Sequence, residues 1–230
     1  MKTHYRSKTA KYLRFAIDAV RRHGWRDTMA DVASEALFDW RHGTKTMMPG
    51  ELDGLVPECA SKKDGVQYQG ASPRIVRPLL AKLPASARGA TFVDYGCGKG
   101  RGLLLAMEAG FSRVIGIEFA PQLAALCRKN LCGSRSGKYQ AKASVLVMDA
   151  GAFIPEPGPL VAFLYNPFHG QTLRTVAGRL RDHSQINPLW IVYVNPIGLG
   201  AFIDAGFAVT NSLNRCRDTL GVILEASGRL

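Results

Sequence analysis

Four glycines alternate with other residues in the segment FVDYGCGKGRG, residues 92–102, at the point where an apolar run ends. Glycine adopts backbone conformations with positive φ and lets another group approach the main chain closely, at a cost of about 0.5–1 kcal/mol in a regular element. A turn built on Gly96, Gly98, Gly100 and Gly102 therefore predicts that a ligand lies against this backbone.

The spacing of these glycines separates three kinds of nucleotide-binding loop. A Walker loop requires G-x-x-x-x-G-K-[ST], but Lys99 is followed by Gly100 and no glycine stands at the required upstream position. A dinucleotide fingerprint requires G-x-G-x-x-G, and its third glycine would be Arg101 or Leu103. The pattern that remains is D-x-G-x-G-x-G, which Asp94 begins.

Two further carboxylates end the next two predicted strands. Glu118 closes the stretch RVIGIE, 22 residues beyond Gly96, and Asp149 closes VLVMD. Ionised carboxylates are strong acceptors for hydroxyl groups, and acids at consecutive parallel strand ends face the sheet edge where open α/β folds bind ligands. Alone, Glu118 is equally an ordinary exposed acid and Asp149 equally a helix cap. Together with Asp94 they favour a ligand site.

The segment YNPFHG, after the fourth predicted strand, offers groups that could orient an amine. The Asn166 side-chain oxygen and the Pro167 carbonyl can accept its N–H groups, and Phe168 can stack on a planar group or face an ammonium ion. An attacking nitrogen must point its lone pair at a carbon about 3 Å away. The alternative is a capping asparagine, a turn proline and a core phenylalanine. His169 can accept a proton, but we expect a structural role for it.

Apolar residues at helical spacing predict two helices near the start of the chain. The two stripes are Leu13, Ala16, Ile17 and Val20, and then Met29, Val32, Ala33, Ala36, Leu37 and Trp40. Gly24 would stop the first helix and Thr28 would cap the second. Residues 41–71 predict an irregular connector, and Ser72 followed by Pro73 begins another helix.

From residue 91 onward, strand and helix patterns alternate. The predicted strands are 91–95, 113–117, 144–148, 160–165, 190–194, 206–212 and 219–225, and the predicted helices are 101–109, 121–131 and 171–182, with a short turn near 150–153. The last two strands are joined by NRCRD, which suits a hairpin. The sequence thus predicts an α/β fold: a doubly wound, mostly parallel seven-stranded sheet with a C-terminal antiparallel hairpin, preceded by N-terminal helices.

Composition narrows the class of protein. The chain has 230 residues, 47% hydrophobic and 21% charged, which fits a folded domain. No apolar run is long enough to span a bilayer. The basic N-terminus lacks the apolar core of a secretory signal, whereas a mitochondrial presequence stays open. Five cysteines without C-x-x-C spacing indicate neither a disulfide framework nor a zinc site, so we expect reduced thiols in the cytoplasm and no metal.

The positive charge is concentrated at the start of the chain. The net charge is +12, and residues 1–30 hold eight Lys and Arg residues against Asp18 and Asp27. Such a block can meet nucleic acid, an acidic protein or an anionic membrane surface. A solvated helix face is an equal alternative.

Six segments together resemble one known family. FDWRHGTKT, GVQYQGASPR, FVDYGCGKGRGLLLA, GIEFAPQL, LYNPF and YVNP look like a bacterial group of class I S-adenosylmethionine (SAM)-dependent methyltransferases whose substrate is undefined and which carry a YNPF motif. The resemblance covers nearly the whole chain. It implies a Rossmann-like fold, SAM as the cofactor and methyl transfer as the reaction.

The resemblance also implies roles for individual residues. Asp94 matches the acid near the cofactor's amino group, Glu118 the acid that accepts the ribose hydroxyls, and Asp149 the residue that reads the adenine amino group. Tyr68 would cover the bound cofactor, with a plain linker tyrosine as the equal alternative. The implied cofactor-binding set is Tyr68, Asp94, Gly96, Cys97, Gly98, Gly100, Glu118, Phe119, Asp149 and Ala150.

The acceptor side of the site follows from the same resemblance. Asn166, Pro167 and Phe168 resemble the [N/D/S]-P-P-[F/Y/W] motif of methyltransferases that act on amino groups, with one proline missing. We therefore predict methyl transfer to an amino nitrogen of a protein or nucleic acid, with these three residues as the catalytic set. Residues 1–71 would form an N-terminal extension that serves as a lid or substrate platform, and residues 72–230 the methyltransferase domain.

Other functions stay open at this point. A small-molecule methyltransferase fits the absence of an added binding module. A non-catalytic SAM-fold protein, whose basic N-terminus docks an acidic partner, fits the charge. An oxidoreductase on a similar sheet is disfavoured by the failed G-x-G-x-x-G count.

Overall fold

The computed structural model of the protein describes residues 20–21, 24–47, 70–133, 143–215 and 218–227. The helices are α1 (Trp25–His42), α2 (Pro73–Ala81), α3 (Arg101–Glu108), α4 (Pro121–Cys132), α5 (Gly170–Ile186) and α6 (Leu199–Asp204). The strands are β1 (Thr91–Tyr95), β2 (Val114–Glu118), β3 (Ala143–Val147), β4 (Leu160–Tyr165), β5 (Leu189–Val194), β6 (Phe207–Arg215) and β7 (Asp218–Ala226). Within these ranges, no helix is both long and apolar enough to cross a membrane.

All seven strands form one sheet in the order β3-β2-β1-β4-β5-β7-β6. The pairs from β3 to β5 are parallel, whereas β7 runs antiparallel between β5 and β6. The chain reverses its direction of travel across the sheet between β1 and β4, and such a switch point opens a crevice at the carboxyl ends of the strands. The predicted fold class is confirmed, and the motifs at the ends of β1, β2 and β4 share one edge.

The sheet is buried on both faces, which explains the continuous apolar sequences of its central strands. On one face, α2, α3 and α4 cover a core that includes Phe92 and Phe163, whose rings stack with centroids 5.6 Å apart. On the other face, α5 and α6 cover Tyr193, which meets Phe202 edge to face at 5.5 Å. These two cores make the sheet a rigid base for the loops at its carboxyl edge.

The predicted apolar stripe of α1 is its exposed face, which corrects the sequence interpretation. Trp25, Met29, Leu37 and Trp40 are 62%, 60%, 60% and 69% exposed. The predicted cap is also wrong: α1 begins at Trp25, and the Thr28 hydroxyl donates to the Gly24 carbonyl from inside the first turn. The other predicted N-terminal helix lies outside the described residues, except for its last stripe position, residue 20.

The face of α1 that meets the domain carries acids at four-residue intervals: Asp27, Asp31, Glu35 and Asp39. The first three pair with arginines from three different elements. Arg74 of α2 binds Asp27 at 3.2 Å and Asp31 at 3.0 Å, Arg215 of β6 binds Asp31 at 2.8 Å, and Arg101 of α3 binds Glu35 at 2.9 Å.

The C-terminal end of α1 is held by two further contacts. His42 Nε2 lies 2.7 Å from Glu108 Oε1 at the end of α3, and Phe38 is buried in the core beside it. Asp39 accepts hydrogen bonds from the hydroxyls of Thr44 and Thr46 in the segment that follows. Charged and polar groups therefore fix α1 to the domain together with the one buried ring of Phe38, whereas an ordinary amphipathic surface helix buries a whole apolar stripe.

Candidate functional site

The glycine turn leaves β1 with its backbone in the left-handed half of conformational space. Gly96, Gly98 and Gly100 have φ values of 86°, 53° and 89°. The amides of Gly96 and Cys97 both donate to the Ile117 carbonyl, at 2.8 and 2.9 Å, which ties the turn to β2. Only glycine adopts such φ values without strain, so the predicted need for glycine at these three positions is explained.

The glycine turn touches the Asn-Pro corner that follows β4. A Cβ added at Gly96 would collide with the Cβ of Pro167 and lie 3.4 Å from its Cγ. The two motifs, about 70 residues apart in sequence, are therefore in direct contact at the switch point of the sheet.

Glu118 supports the glycine turn from the end of β2. Its Oε2 accepts a hydrogen bond from the Gly98 amide at 2.9 Å, and its Oε1 accepts one from the Ala120 amide at 2.9 Å. Burial raises the pKa of Glu118, and the backbone donors oppose this in part. The Phe119 amide is a third backbone donor to this carboxyl. An ionised carboxylate has about four acceptor positions, so about one position remains for a hydroxyl of a ligand. The bracing of the turn is a role that the sequence did not indicate.

Asp94 is buried at the carboxyl end of β1, with Oδ2 against the backbone of Gly102 in the first turn of α3. A side chain at Gly102 would collide with this oxygen, so the fourth glycine of the motif serves close packing. Burial raises the pKa of Asp94 well above its ordinary value, and the neighbouring Glu118 adds to the effect. A cationic group bound here would lower the pKa of Asp94 again, because opposite charge favours the ionised carboxylate.

Asp149 caps the short 3₁₀ turn that follows β3. Its Oδ1 accepts a hydrogen bond from the Gly151 amide at 2.7 Å, which is the capping role weighed from the sequence. Ala150 beside it is buried and Phe119 is half-buried.

Cys97 and Tyr68 are the remaining members of the predicted cofactor-binding set. The Cys97 thiol is buried 4.0 Å from Cys127 Sγ, and the hydrogen bond between the two thiols, with burial adding, raises the pKa of Cys97 well above its ordinary value. The Cys97 thiol therefore packs in the core beside Cys127. Tyr68 lies outside the described residues.

The Asn-Pro corner after β4 has a strained backbone. Asn166 has a φ of 39°, and Asn195, which precedes Pro196 after β5, has a φ of 48°. A residue before proline disfavours helical conformations, and a non-glycine residue with positive φ costs about 1–3 kcal/mol. Strain of this kind clusters at functional sites. Of the two corners, the one after β4 also contacts the glycine turn, so it is the candidate position.

Phe168 and His169 occupy different environments. Phe168 is buried in the core on the α5 side of the sheet, which corresponds to the core alternative for this residue. His169 is exposed at the first residue before α5. The members of this motif that stay candidates for the acceptor side are Asn166 and Pro167, both half-buried, and Pro167 contacts the glycine turn.

Arg101 is a component of the site that the sequence analysis missed. Its side chain is 1% exposed, its Nε donates to Thr46 Oγ1 at 2.7 Å, and its Nη1 lies 2.9 Å from Glu35 Oε2. Nη1 also lies 3.4 Å from the carbonyl oxygen of Ala71. The position of Arg101 directly after Gly100 was visible in the sequence, but its burial depends on partners from distant segments.

No group of His, Cys, Asp and Glu side chains in the described part of the chain has the arrangement of a metal site.

Comparisons with known proteins support the fold and no finer assignment. No protein-family model matches the chain, and no curated protein sequence does. Among solved structures, the glycopeptide N-methyltransferase MtfA in complex with SAM superposes with a TM-score of 0.53 at 11% identity, covering 66% of this chain and 86% of that one.

Two further structures give the same result. The ribosomal protein L11 methylase from Lactobacillus delbrueckii subsp. bulgaricus has a TM-score of 0.51 at 15% identity, over 66% of this chain and 77% of that one. The putative methyltransferase yhhF from Escherichia coli has a TM-score of 0.51 at 19% identity, over 66% and 87%. The structural neighbours are thus class I SAM-dependent methyltransferases, and at these identities the likeness shows the fold.

Proposed function

We propose that the protein is a SAM-dependent methyltransferase that transfers a methyl group to an amino nitrogen of a protein or nucleic-acid acceptor. The observation that carries the proposal is the contact between the glycine turn and the Asn-Pro corner, where Pro167 fills the space that a side chain at Gly96 would need. This contact places a candidate cofactor cradle beside a candidate amine-binding corner.

The residues of the crevice fit the cofactor. The buried carboxyl of Asp94, with its raised pKa, suits a cationic amino group. Glu118, with three backbone donors, keeps about one acceptor position for a hydroxyl. Asp149 at the end of β3 would face the adenine end of the cofactor. When bound, SAM would supply an electrophilic methyl group on its sulfonium.

The contribution of the protein would be mainly placement. Asn166 Oδ1 and the Pro167 carbonyl would accept the N–H groups of a neutral amine and turn its lone pair toward the crevice. The surrounding structure imposes the strained φ of 39° at Asn166, which would fix this corner in one conformation. Phe168, packed in the core, would support Pro167 from behind. A crevice closed to water would favour the reaction further, because it replaces solvent with fixed groups.

The decisive experiment is methyl transfer by the purified protein. SAM with a labelled methyl group would be incubated with separated protein and RNA fractions of a lysate. We expect label in one of these fractions, lost by about 10²-fold or more in Asn166→Ala because the amine is no longer oriented. SAM affinity in this variant should stay near that of the unchanged protein.

Asn195→Ala is the matched control, since it changes the same residue type with the same backbone conformation one strand away. It should retain methyl transfer. Label confined to small molecules would refute the proposed acceptor class. SAM binding without any transfer would instead favour the non-catalytic alternative.

A further inference from the structure

Two buried side-chain polar atoms have no hydrogen-bond partner within the described ranges: Arg101 Nη2 and Ser72 Oγ. The two residues meet at one backbone segment, because Arg101 Nη1 lies 3.4 Å from the carbonyl oxygen of Ala71, the residue before Ser72. A Cβ added at Gly70 would lie 2.7 Å from the same Nη1. Folded proteins pair nearly all buried polar groups, so two unpaired donors in one place indicate that a ligand completes them.

The guanidinium of Arg101 is only partly used by the protein. Nε binds Thr46 and Nη1 binds Glu35, whereas the two N–H groups of Nη2 remain. A planar guanidinium recognises carboxylates through paired N–H groups. The ligand group that fits here is therefore a carboxylate, with the Ser72 hydroxyl as a further donor.

A buried acidic side chain lies at the same turn of α3 as Arg101. The Asp94 carboxyl packs against Gly102, the residue after Arg101. A buried guanidinium thus extends from the first residue of α3, and the buried carboxyl of Asp94 from β1 packs against the second, directly after the glycine turn. The group that carries an ammonium and a carboxylate on one carbon is an α-amino acid.

We propose that Arg101 and Ser72 bind the carboxylate of the cofactor's amino-acid group while Asp94 binds its ammonium. The inference rests on the proposed function and adds a carboxylate-binding group made of Arg101, between the last two glycines of the motif, and Ser72, outside it. Because Glu35 of α1 shares the same guanidinium, the bound carboxylate would also join the cofactor to the N-terminal helix.

The unchanged protein allows the first test. Calorimetric titration with SAM and with decarboxylated SAM compares two ligands that share the sulfonium, the amine and the nucleoside. We expect SAM to bind at least about tenfold more tightly, the scale of a charge-assisted hydrogen bond. Equal binding of the two ligands would overturn this inference alone. Binding of neither would overturn the proposed function and this inference with it.

Two variants then assign the preference to named groups. Ser72→Ala removes a hydroxyl that has no hydrogen-bond partner in the described part of the chain, so the melting temperature should stay unchanged while the preference for SAM falls by several-fold. Arg101→Gln combined with Glu35→Gln removes both charges together and avoids leaving a lone buried carboxylate. In this double variant the two ligands should bind equally, with the affinity for decarboxylated SAM retained.

The control is Arg77→Gln, which removes an exposed guanidinium from its ion pair with Glu108 and should not alter the preference. A folded double variant that still prefers SAM would overturn the assignment to Arg101. A Ser72→Ala protein that loses affinity for both ligands equally would contradict the role of Ser72 in carboxylate recognition.

Discussion

At the scale of single residues, the charge state of Asp94 controls both ligand binding and stability. Its pKa is raised by burial and by Glu118, so the free protein keeps a proton on Asp94 well above the ordinary pKa. Binding of a cationic amino group needs the ionised form. We expect SAM affinity to fall as pH is lowered through this raised pKa, with proton release on binding. Calorimetry in buffers of different ionisation enthalpy measures both.

Asp94→Asn separates the two effects. A carboxyl with a raised folded-state pKa favours folding only below its unfolded pKa, and that contribution is lost as pH rises through the folded value. The free variant should therefore be more stable at neutral pH, by about 1–2 kcal/mol, and its SAM binding should be weak and independent of pH. A variant less stable than the unchanged protein at pH 7 would contradict the buried-charge argument.

Glu118 has two roles that one substitution should reveal together. Glu118→Ala should weaken SAM binding by about 1–3 kcal/mol and also destabilise the free protein, because the Gly98 and Ala120 amides lose their acceptor. Urea unfolding with and without SAM measures the two losses. Glu156→Ala, from the exposed Arg113–Glu156 pair, is the control and should cost under about 1 kcal/mol. Loss of affinity with unchanged stability would exclude the bracing role.

Whether a site residue could be predicted from the sequence depended on how far along the chain its partners lie. Asp94 and Glu118 were predictable because periodicity locates strand ends, and strand ends of a parallel sheet share one edge. Arg101 was not, since its burial depends on Glu35 and Thr46, 66 and 55 residues away. Local sequence carries no record of such contacts.

At the scale of elements, α1 shows where periodicity misleads. A helical stripe of Met29, Leu37 and Trp40 normally indicates the buried face, but the domain surface beneath α1 presents the arginines 74, 101 and 215. The acids of α1 turn toward those charges and the apolar residues turn outward. The periodic pattern predicts that a helix has an apolar face and a polar face. It does not indicate which of these faces packs against the rest of the protein.

The stability of α1 should follow this observed orientation. Phe38→Ala removes a ring buried in the core and should cost about 3–5 kcal/mol. Leu37→Ala, one residue away but 60% exposed, should change stability by less than about 1 kcal/mol. Urea unfolding of the two variants is the comparison. A Leu37 variant as unstable as the Phe38 variant would mean that the apolar face is covered in the folded protein.

The strands were predicted more closely than the helices. Each observed strand lies within three residues of its predicted bounds, because both-face burial makes continuous apolar runs that end at polar turns. Helix α6 was missed, since its six residues are too few to show a period. The hairpin was expected from NRCRD, yet β6 extends to Arg215 and β7 begins at Asp218, so most of that segment belongs to the strands.

At the scale of the whole molecule, a single carboxylate joins three distant parts of the chain. Asp31 of α1 binds Arg74 of α2 at 3.0 Å and Arg215 of β6 at 2.8 Å, so the N-terminal helix and the C-terminal hairpin share one ion-pair network. Its members are partly buried, with the Asp31 side chain 23% exposed. Networks of this kind contribute more than isolated surface pairs, because several charges order one another.

We therefore expect Asp31→Ala to detach α1 from the domain without unfolding the sheet. Native proteins open in cooperative units of unequal stability. Helix α1 is held by side-chain ion pairs and a single core ring, Phe38, whereas the sheet is held by two extended apolar cores. Amide hydrogen exchange in α1 should accelerate by at least about tenfold, with exchange in β1, β4 and β5 unchanged. Asp27→Ala, which breaks one pair to Arg74 alone, should have a smaller effect. If exchange accelerates equally in α1 and in the central strands, α1 is part of the same cooperative unit as the sheet, and its contacts matter for global folding rather than for local attachment.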